Sequence, residues 1–368
     1  MTRAPVRIAL IGAGIIAQHH AHVFTELADR VVLVAVADPD RAKARALAAG
    51  TGARCYGSVT EVLAADQIDL VVVATPTGTH ADIAIEALEA GTHVMIEKPA
   101  EVTLEHADRI IAAQERSGTL VTVISQHRFD PSTELLVAAI ARGELGCLTS
   151  GVASIDWWRG QSYYDSGDWR GTWALDGGGA LMNQGVHTID LLVAALGTPV
   201  EVFGYTATLA HERIETEDVA VAVVKFESGA VGVLHGSTAA YPGLVARLQV
   251  HGDRGSVVIE NDRLTYIHTT PTDTSVEEAF MGNTGSDTNQ VDRHPQDATF
   301  FPGEPGRMSD AHKRQYLNFM AAIAGEEPVR VGLRENRNAI SIITGVYESA
   351  RTGLPVRLDS PTEKAATR

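Results

Sequence analysis

Val6-Arg-Ile-Ala-Leu-Ile11 is a nearly unbroken apolar run. It leads into Gly12-Ala-Gly14-Ile15-Ile16-Ala17 and then into a helical pattern. Strand, glycine turn and helix start in that order constrain the fold more than any other feature, because this G-x-G-x-x-A arrangement suits a nucleotide-binding βα unit. Gly12 permits the tight turn. Gly14 lets the backbone approach a pyrophosphate, and Ala17 lets helix and strand pack closely. The helix N-terminus offers N–H donors and a favourable dipole to phosphates, with Ile15 and Ile16 at its first positions. Asp38 ends the next strand, about 20 residues on, where the partner of a ribose 2′-OH is expected. An acid there repels a 2′-phosphate and favours NAD, while Arg41 close by keeps NADP open. The alternative is a tight βα turn with no ligand.

The pattern continues as strands at 31–37, 70–74, 93–96 and 120–125 alternating with helices at 15–28, 41–49, 81–90 and 104–117. Such alternation implies a parallel sheet with helices on both faces, and strands without polar alternation agree with that. The pattern changes near residue 128. A helix at 131–142, a strand at 148–157 and a helix at 179–196 precede strands at 201–209, 218–227, 230–237, 245–252 and 256–260. This predicts an open, mostly antiparallel sheet. Residues 271–308 read as a long loop, lid or oligomer arm, and helices at 310–324 and 334–351 follow. The expected domains are 1–128 and 129–368, both α/β, with room for the last helices to pack back on the first.

The chain has 368 residues, 45% of them hydrophobic, which is ample for two cores. A formal net charge of −16 argues against nucleic acid or an anionic membrane as the main partner. No apolar stretch is long enough to span a membrane. Cys55 and Cys147 lie in no metal-ligand pattern, and a reducing, cytoplasmic setting is the simpler expectation. No metal site is expected.

Three further segments carry chemistry. Glu97-Lys98-Pro99 ends a strand, and ligands in open α/β sheets sit beyond the carboxyl ends of strands. A surface salt-bridging lysine is the alternative. Thr75-Pro76-Thr77-Gly-Thr-His80 follows another strand and either lines a cofactor cleft or caps a helix. In the second half, Gly177-Gly-Gly-Ala-Leu-Met-Asn183-Gln-Gly-Val-His187-Thr-Ile-Asp190 opens a helix with three glycines that permit close approach of a ligand. Asn183, His187 and Asp190 then share about one helical face. Histidine suits acid/base work near neutral pH, and Asn183 or Asp190 could orient it. A core histidine is the alternative. All four tryptophans fall between Trp157 and Trp173, interleaved with Arg159, Tyr163, Trp169 and Arg170. Flat rings suit the C–H face of a sugar, and the polar groups suit its hydroxyls. Interface packing is the alternative.

Taken together, the glycine turn, Glu97-Lys98-Pro99 and the glycine–histidine helix resemble the glucose–fructose oxidoreductase / inositol dehydrogenase / rhizopine-catabolism (Gfo/Idh/MocA) family over essentially the whole chain. The resemblance implies a Rossmann domain, then an α/β domain whose open sheet commonly forms a homodimer or homotetramer. It implies NAD or NADP and a sugar or cyclitol substrate. Lys98, His187 and Asn183 become the catalytic set, with a cis Lys98-Pro99 bond. The cofactor set becomes Gly12, Gly14, Ile15, Ile16, Asp38, Arg41, Thr75, Pro76, Thr77, His80, Glu97, Lys98, Gln126, Trp169 and Arg170. Substrate contacts fall to Lys98, Arg128, Trp157, Arg159, Tyr163, Asn183, His187 and Tyr241. Many family dehydrogenases carry Asp where this chain has Asn183, which weakens a dyad with His187. The expected activity is hydride transfer at a ring carbon. A lyase or glycosidase that retains its NAD, and a sensor without turnover, are the alternatives.

Overall fold

The computed structural model describes residues 4–273, 288–294 and 307–359. It divides into two compact units, each built around its own sheet. The first holds residues up to Gln126 together with Trp173–Gly177 and Gly306–Arg337, and the second holds the remainder.

In the first unit the strands are β1 (Val6–Ile11), β2 (Val31–Ala37), β3 (Arg54–Tyr56), β4 (Leu70–Val73), β5 (His93–Ile96) and β6 (Val121–Val123). They alternate with α1 (Ile15–Glu26), α2 (Arg41–Ala48), α3 (Val59–Ala65), α4 (His80–Glu89) and α5 (Leu104–Ser117). The sheet order is β3-β2-β1-β4-β5-β6. Every pair is parallel. Leu70–Val73 is buried throughout, as a central strand covered on both faces must be. The helices start where short polar side chains satisfy free N–H groups. Asp40 caps α2, Ser58 caps α3 and Thr103 caps α5, each worth about 1 kcal/mol. The strand order reverses between β1 and β4, the topological switch point at which such sheets bind ligands.

The second unit begins with α6 (Pro131–Ala141), β7 (Leu148–Asp156) and the short α7 (Gln161–Tyr164). A π turn over Ala180–Gly185 leads into α8 (Val186–Leu196). Next come β8 (Pro199–Ala207), β9 (Val219–Phe226), β10 (Val231–Ser237), β11 (Ala246–Gly252), β12 (Ser256–Glu260) and β13 (Arg263–His268). The chain closes with α9 (Arg307–Ile323), α10 (Leu333–Thr352) and β14 (Val356–Arg357). Eight strands pair in the order β13-β12-β11-β7-β10-β9-β8-β14, parallel only between β7 and β10. Burial alternates along β9, so one face packs on α8 and α10 residues such as Leu192, Ile343 and Val346. The other face presents exposed Val221, Val223, Val231 and Val233.

The expected α/β sheet and mostly antiparallel sheet are both present. Several details differ. Strands β3 and β14 and helix α3 are too short to stand out by periodicity, and the six-residue β13 is a further strand not expected from the sequence. The 179–196 segment is not one helix, because its first part winds as a π turn. Within the first unit, Tyr316 and Phe319 of α9 are fully buried in the same core as Ile8 and Leu10. Of the expected 271–308 loop, residues 274–287 and 295–306 lie outside the described residues.

Candidate active site

The glycine turn has the geometry its sequence requires. Gly12 has φ +102°, and a Cβ there would run into the Ala74 carbonyl. Gly14 caps α1 with open space where a side chain would be, and Ile15 beyond it is 77% exposed. Ala17 is fully buried. Asp38, just past β2, accepts from Ala13 N–H at 2.9 Å through Oδ2 and from Asp40 N–H at 2.8 Å through Oδ1. Each oxygen keeps a second lone pair for a ribose hydroxyl. Arg41 is already engaged, with Nη2 2.6 Å from Glu61 Oε2, which reduces its attraction for a 2′-phosphate. The residues present therefore fit a dinucleotide with free ribose hydroxyls.

Thr75 and Lys98 lie just past the carboxyl ends of β4 and β5, on the same sheet edge as Gly12 and Asp38. The Lys98-Pro99 bond is cis, and the Lys98 residue is half-buried. Glu97 is buried beside it. Its Oε1 lies 2.8 Å from His20 Nε2, and its Oε2 accepts Lys98 N–H at 3.1 Å. Burial pushes this carboxyl up, but the hydrogen bond and charge of His20 outweigh it and bring it down to about 2. His80 is also buried. Its Nε2 lies 2.9 Å from the Thr75 carbonyl and its Nδ1 3.1 Å from the Pro99 carbonyl. Burial disfavours its charged form. Glu97 and His80 thus brace the loops that carry Thr75, Pro76 and Lys98, and both rings of contact are with protein. Thr77 and Gln126 are buried.

The three glycines before α8 pack against protein. A Cβ would meet Val102 at Gly177, Tyr347 at Gly178 and the Glu217 carbonyl at Gly179. The expected reason for this triad, close approach of a ligand, is therefore corrected to close packing. Glu217 reaches into the helix start, accepting from Gly179 N–H at 2.9 Å, Leu181 N–H at 2.8 Å and Tyr347 Oη at 3.0 Å. Its burial dominates and raises it to about 7. Asn183 lies in the π turn and His187 in α8, both half-buried, so simple α-helical spacing does not relate them. Asp190 is gripped by Arg128, with Nε to Oδ2 at 2.6 Å and Nη2 to Oδ1 at 2.7 Å. Arg128, expected as a substrate contact, thus spends its Nε and Nη2 on α8.

Between β7 and the π turn the aromatic segment forms a ladder. The Arg159 guanidinium carbon lies 4.9 Å from the Trp157 ring centre and 5.5 Å from that of Tyr163. Arg170 lies 4.3 Å from Tyr163 and 4.5 Å from Trp169. Arg170 Nη1 and Gln184 Nε2 both donate to Tyr163 Oη, at 2.7 and 3.0 Å. His211 anchors the segment, with Nε2 2.6 Å from the Arg159 carbonyl and Nδ1 3.0 Å from Asp218. Tyr241 is 77% exposed and stands edge-on to Trp158 at 5.3 Å. Gln184, Glu217 and His211 were not singled out in the sequence, although Gln184 adjoins Asn183. A fourth such residue is His127, whose ring lies 5.1 Å from that of His187.

Residues 6–125 match the oxidoreductase family with an NAD-binding Rossmann fold, and residues 133–258 match the GFO/IDH/MocA C-terminal domain. The chain is 30% identical to inositol 2-dehydrogenase of Rhizobium meliloti, over 70% of this chain and 76% of that protein. It is 25% identical to myo-inositol 2-dehydrogenase of Thermotoga maritima, over 96% and 99%. Among solved structures, WlbA dehydrogenase of Bordetella pertussis in complex with NADH and UDP-GlcNAcA superposes with a TM-score of 0.81 and 31% identity, covering 97% of this chain and 99% of that one. This protein is a member of the Gfo/Idh/MocA family of oxidoreductases.

Proposed function

We propose that this chain is an NAD-dependent dehydrogenase acting on one hydroxyl-bearing ring carbon of a sugar or cyclitol, with Lys98 and His187 as its catalytic pair. The carrying observation is the placement of Gly12, Asp38, Thr75 and Lys98 along one edge of the parallel sheet, at the carboxyl ends of β1, β2, β4 and β5. Phosphate-binding and candidate catalytic groups thus share the edge where this sheet type takes a nucleotide.

Gly12, Gly14 and the start of α1 would hold the pyrophosphate, and Asp38 the adenosine ribose. Thr75, Pro76 and the Trp169-Arg170 pair would line the remaining length. Bound NAD supplies the hydride acceptor, or NADH the donor. In oxidation, a ring nitrogen of His187 takes the hydroxyl proton. Lys98 hydrogen-bonds the same oxygen as negative charge develops on it. In reduction both groups reverse their roles. Asn183 carries no titratable proton, so it orients a substrate hydroxyl and leaves acid/base work to His187. Trp157, Arg159 and Tyr163 would bind the sugar, with Tyr241 as an exposed outer contact.

The exposed valine face of β9 and β10, with Tyr205 67% exposed beside it, supports assembly into a homodimer or homotetramer through this sheet. Two free cysteines and the absence, among the described residues, of a helix long and apolar enough to cross a membrane support a cytoplasmic setting. The test is a panel of free sugars, glycosides, anhydrosugars, inositols and UDP-linked sugars with NAD or NADP, read as formation of reduced nicotinamide. Reduction with one class supports the proposal. Silence across the panel with NAD demonstrably bound would count against it.

A further inference from the structure

The dipeptide His127-Arg128 meets α8 at two points about one turn apart. Arg128 grips Asp190, and the His127 ring stands against the His187 ring with centres 5.1 Å apart and planes at 88°. His127 is itself clamped. Its Nδ1 lies 2.9 Å from Asp130 Oδ2 and 3.0 Å from Asp262 Oδ1. A ring nitrogen facing two carboxylates must be the donor, and both carboxylates favour the imidazolium. Burial works against that charge, but Asp262 and Asp130 outweigh it and hold His127 well above 6.5. Asp262 is delivered by the turn between β12 and β13, where Asn261 and Asp262 take φ of 46° and 64°. Such values are uncommon outside glycine and are best tolerated by Asn and Asp. Ser132 Oγ fixes the same turn by donating to the Asp262 carbonyl at 2.8 Å.

We propose that His127 is a positioning residue for His187, a clamped cation that sets the tilt of the His187 ring and opposes a second positive charge on it. The inference rests on His187 being the acid/base of the reaction and names what keeps it a base. Within this unit the charged groups at the His127-Arg128 dipeptide include Asp130 from the turn before α6, Asp262 from the β12–β13 turn, and the Arg128–Asp190 pair. Lys98, the proposed catalytic partner of His187, is left unchanged by a substitution at His127. Arg128 and Asp190 neutralise each other. Asp130 and Asp262 favour protonation of His187, and His127 opposes it. Removing the His127 charge takes a cation away from two carboxylates and from the face of the His187 ring, so His187 must become easier to protonate.

The test uses the full chain labelled at histidine, with the His187 signal identified by its loss in His187→Gln. The variant His127→Asn keeps an amide donor for Asp130 and Asp262 without a charge. The His187 titration midpoint should move up by about one pH unit, the scale expected for losing a nearby charge. The acidic limb of kcat/KM for oxidation should move with it, while KM for NAD stays unchanged. A purely structural His127 would lower the melting temperature and leave the midpoint in place, which overturns the proposal. Should His127→Asn not fold, Asp262→Asn is read instead. It should lower the midpoint of His127 itself, and an unmoved His127 midpoint also overturns the clamp. Full turnover by His187→Gln would instead remove His187 as the acid/base, a failure distinct from either.

Discussion

Glu97 Oε1 lies 2.8 Å from His20 Nε2, with both residues buried, and Tyr316 Oη lies 2.9 Å from the other ring nitrogen of His20. The pair ties the residue before Lys98 to α1, the helix that follows the glycine turn. Removing one partner of such a buried pair costs about 3–5 kcal/mol. Glu97→Ala should lose that much in urea unfolding. The sign with pH follows from the lowered carboxyl. Glu97 goes from an ordinary 4.5 down to about 2, so its contribution is complete above pH 4.5 and is lost as pH falls towards 2. Glu97→Ala should therefore show a flatter acid-unfolding profile than the wild type.

Asp38 should set the choice of cofactor. Its two backbone hydrogen bonds fix the carboxylate at the end of β2, and Arg41 is neutralised by Glu61. Asp38→Ser removes the repulsion of a 2′-phosphate while keeping a hydroxyl. The ratio of kcat/KM for NAD to that for NADP should fall by about tenfold or more, equivalent to about 1.4 kcal/mol. An unchanged ratio would place cofactor selection elsewhere.

Glu217 should make the second unit sensitive to pH in the opposite sense. Burial raises it from 4.5 to about 7. The folded state therefore holds a proton that the unfolded state has released. This contribution is complete below pH 4.5 and disappears as pH rises through 7. Wild-type stability relative to Glu217→Gln should fall between those limits. Chemical denaturation of both proteins at several pH values measures the difference directly.

Lys98→Ala should lower kcat by about 10²–10³, the usual cost of losing a donor to a developing oxyanion. NAD affinity by calorimetry should change little, since Asp38 and the glycine turn are untouched. Retained turnover would take Lys98 out of the mechanism.

Much of this was legible in the sequence because it is local. Gly12, Gly14 and Asp38 occupy fixed offsets from the ends of β1 and β2, so one βαβ unit sets their positions. The alternation of β1 to β6 with helices was readable for the same reason, apart from β3 and α3, which are too short to carry a period. What stayed hidden depends on distant partners. Nothing near Gly179 announces that Glu217 fills the space before α8, and nothing near His127 announces Asp262. The π turn at Ala180–Gly185 cannot be told from α-helix in the sequence because its residues have ordinary helical patterning. The pairing of Arg128 with Asp190, 62 residues on, is another long-range contact that no local pattern announces.

In the proposed reaction, hydride leaves a ring carbon of the substrate for NAD. The most direct measurement is the stoichiometry of a completed reaction, with reduced nicotinamide followed optically and the sugar product weighed by mass spectrometry. The expected result is one NADH formed for each substrate consumed, and a product of unchanged skeleton lighter by two hydrogens. A cleaved or rearranged sugar with no net NADH would contradict net hydride transfer and point to a lyase or glycosidase that retains its NAD.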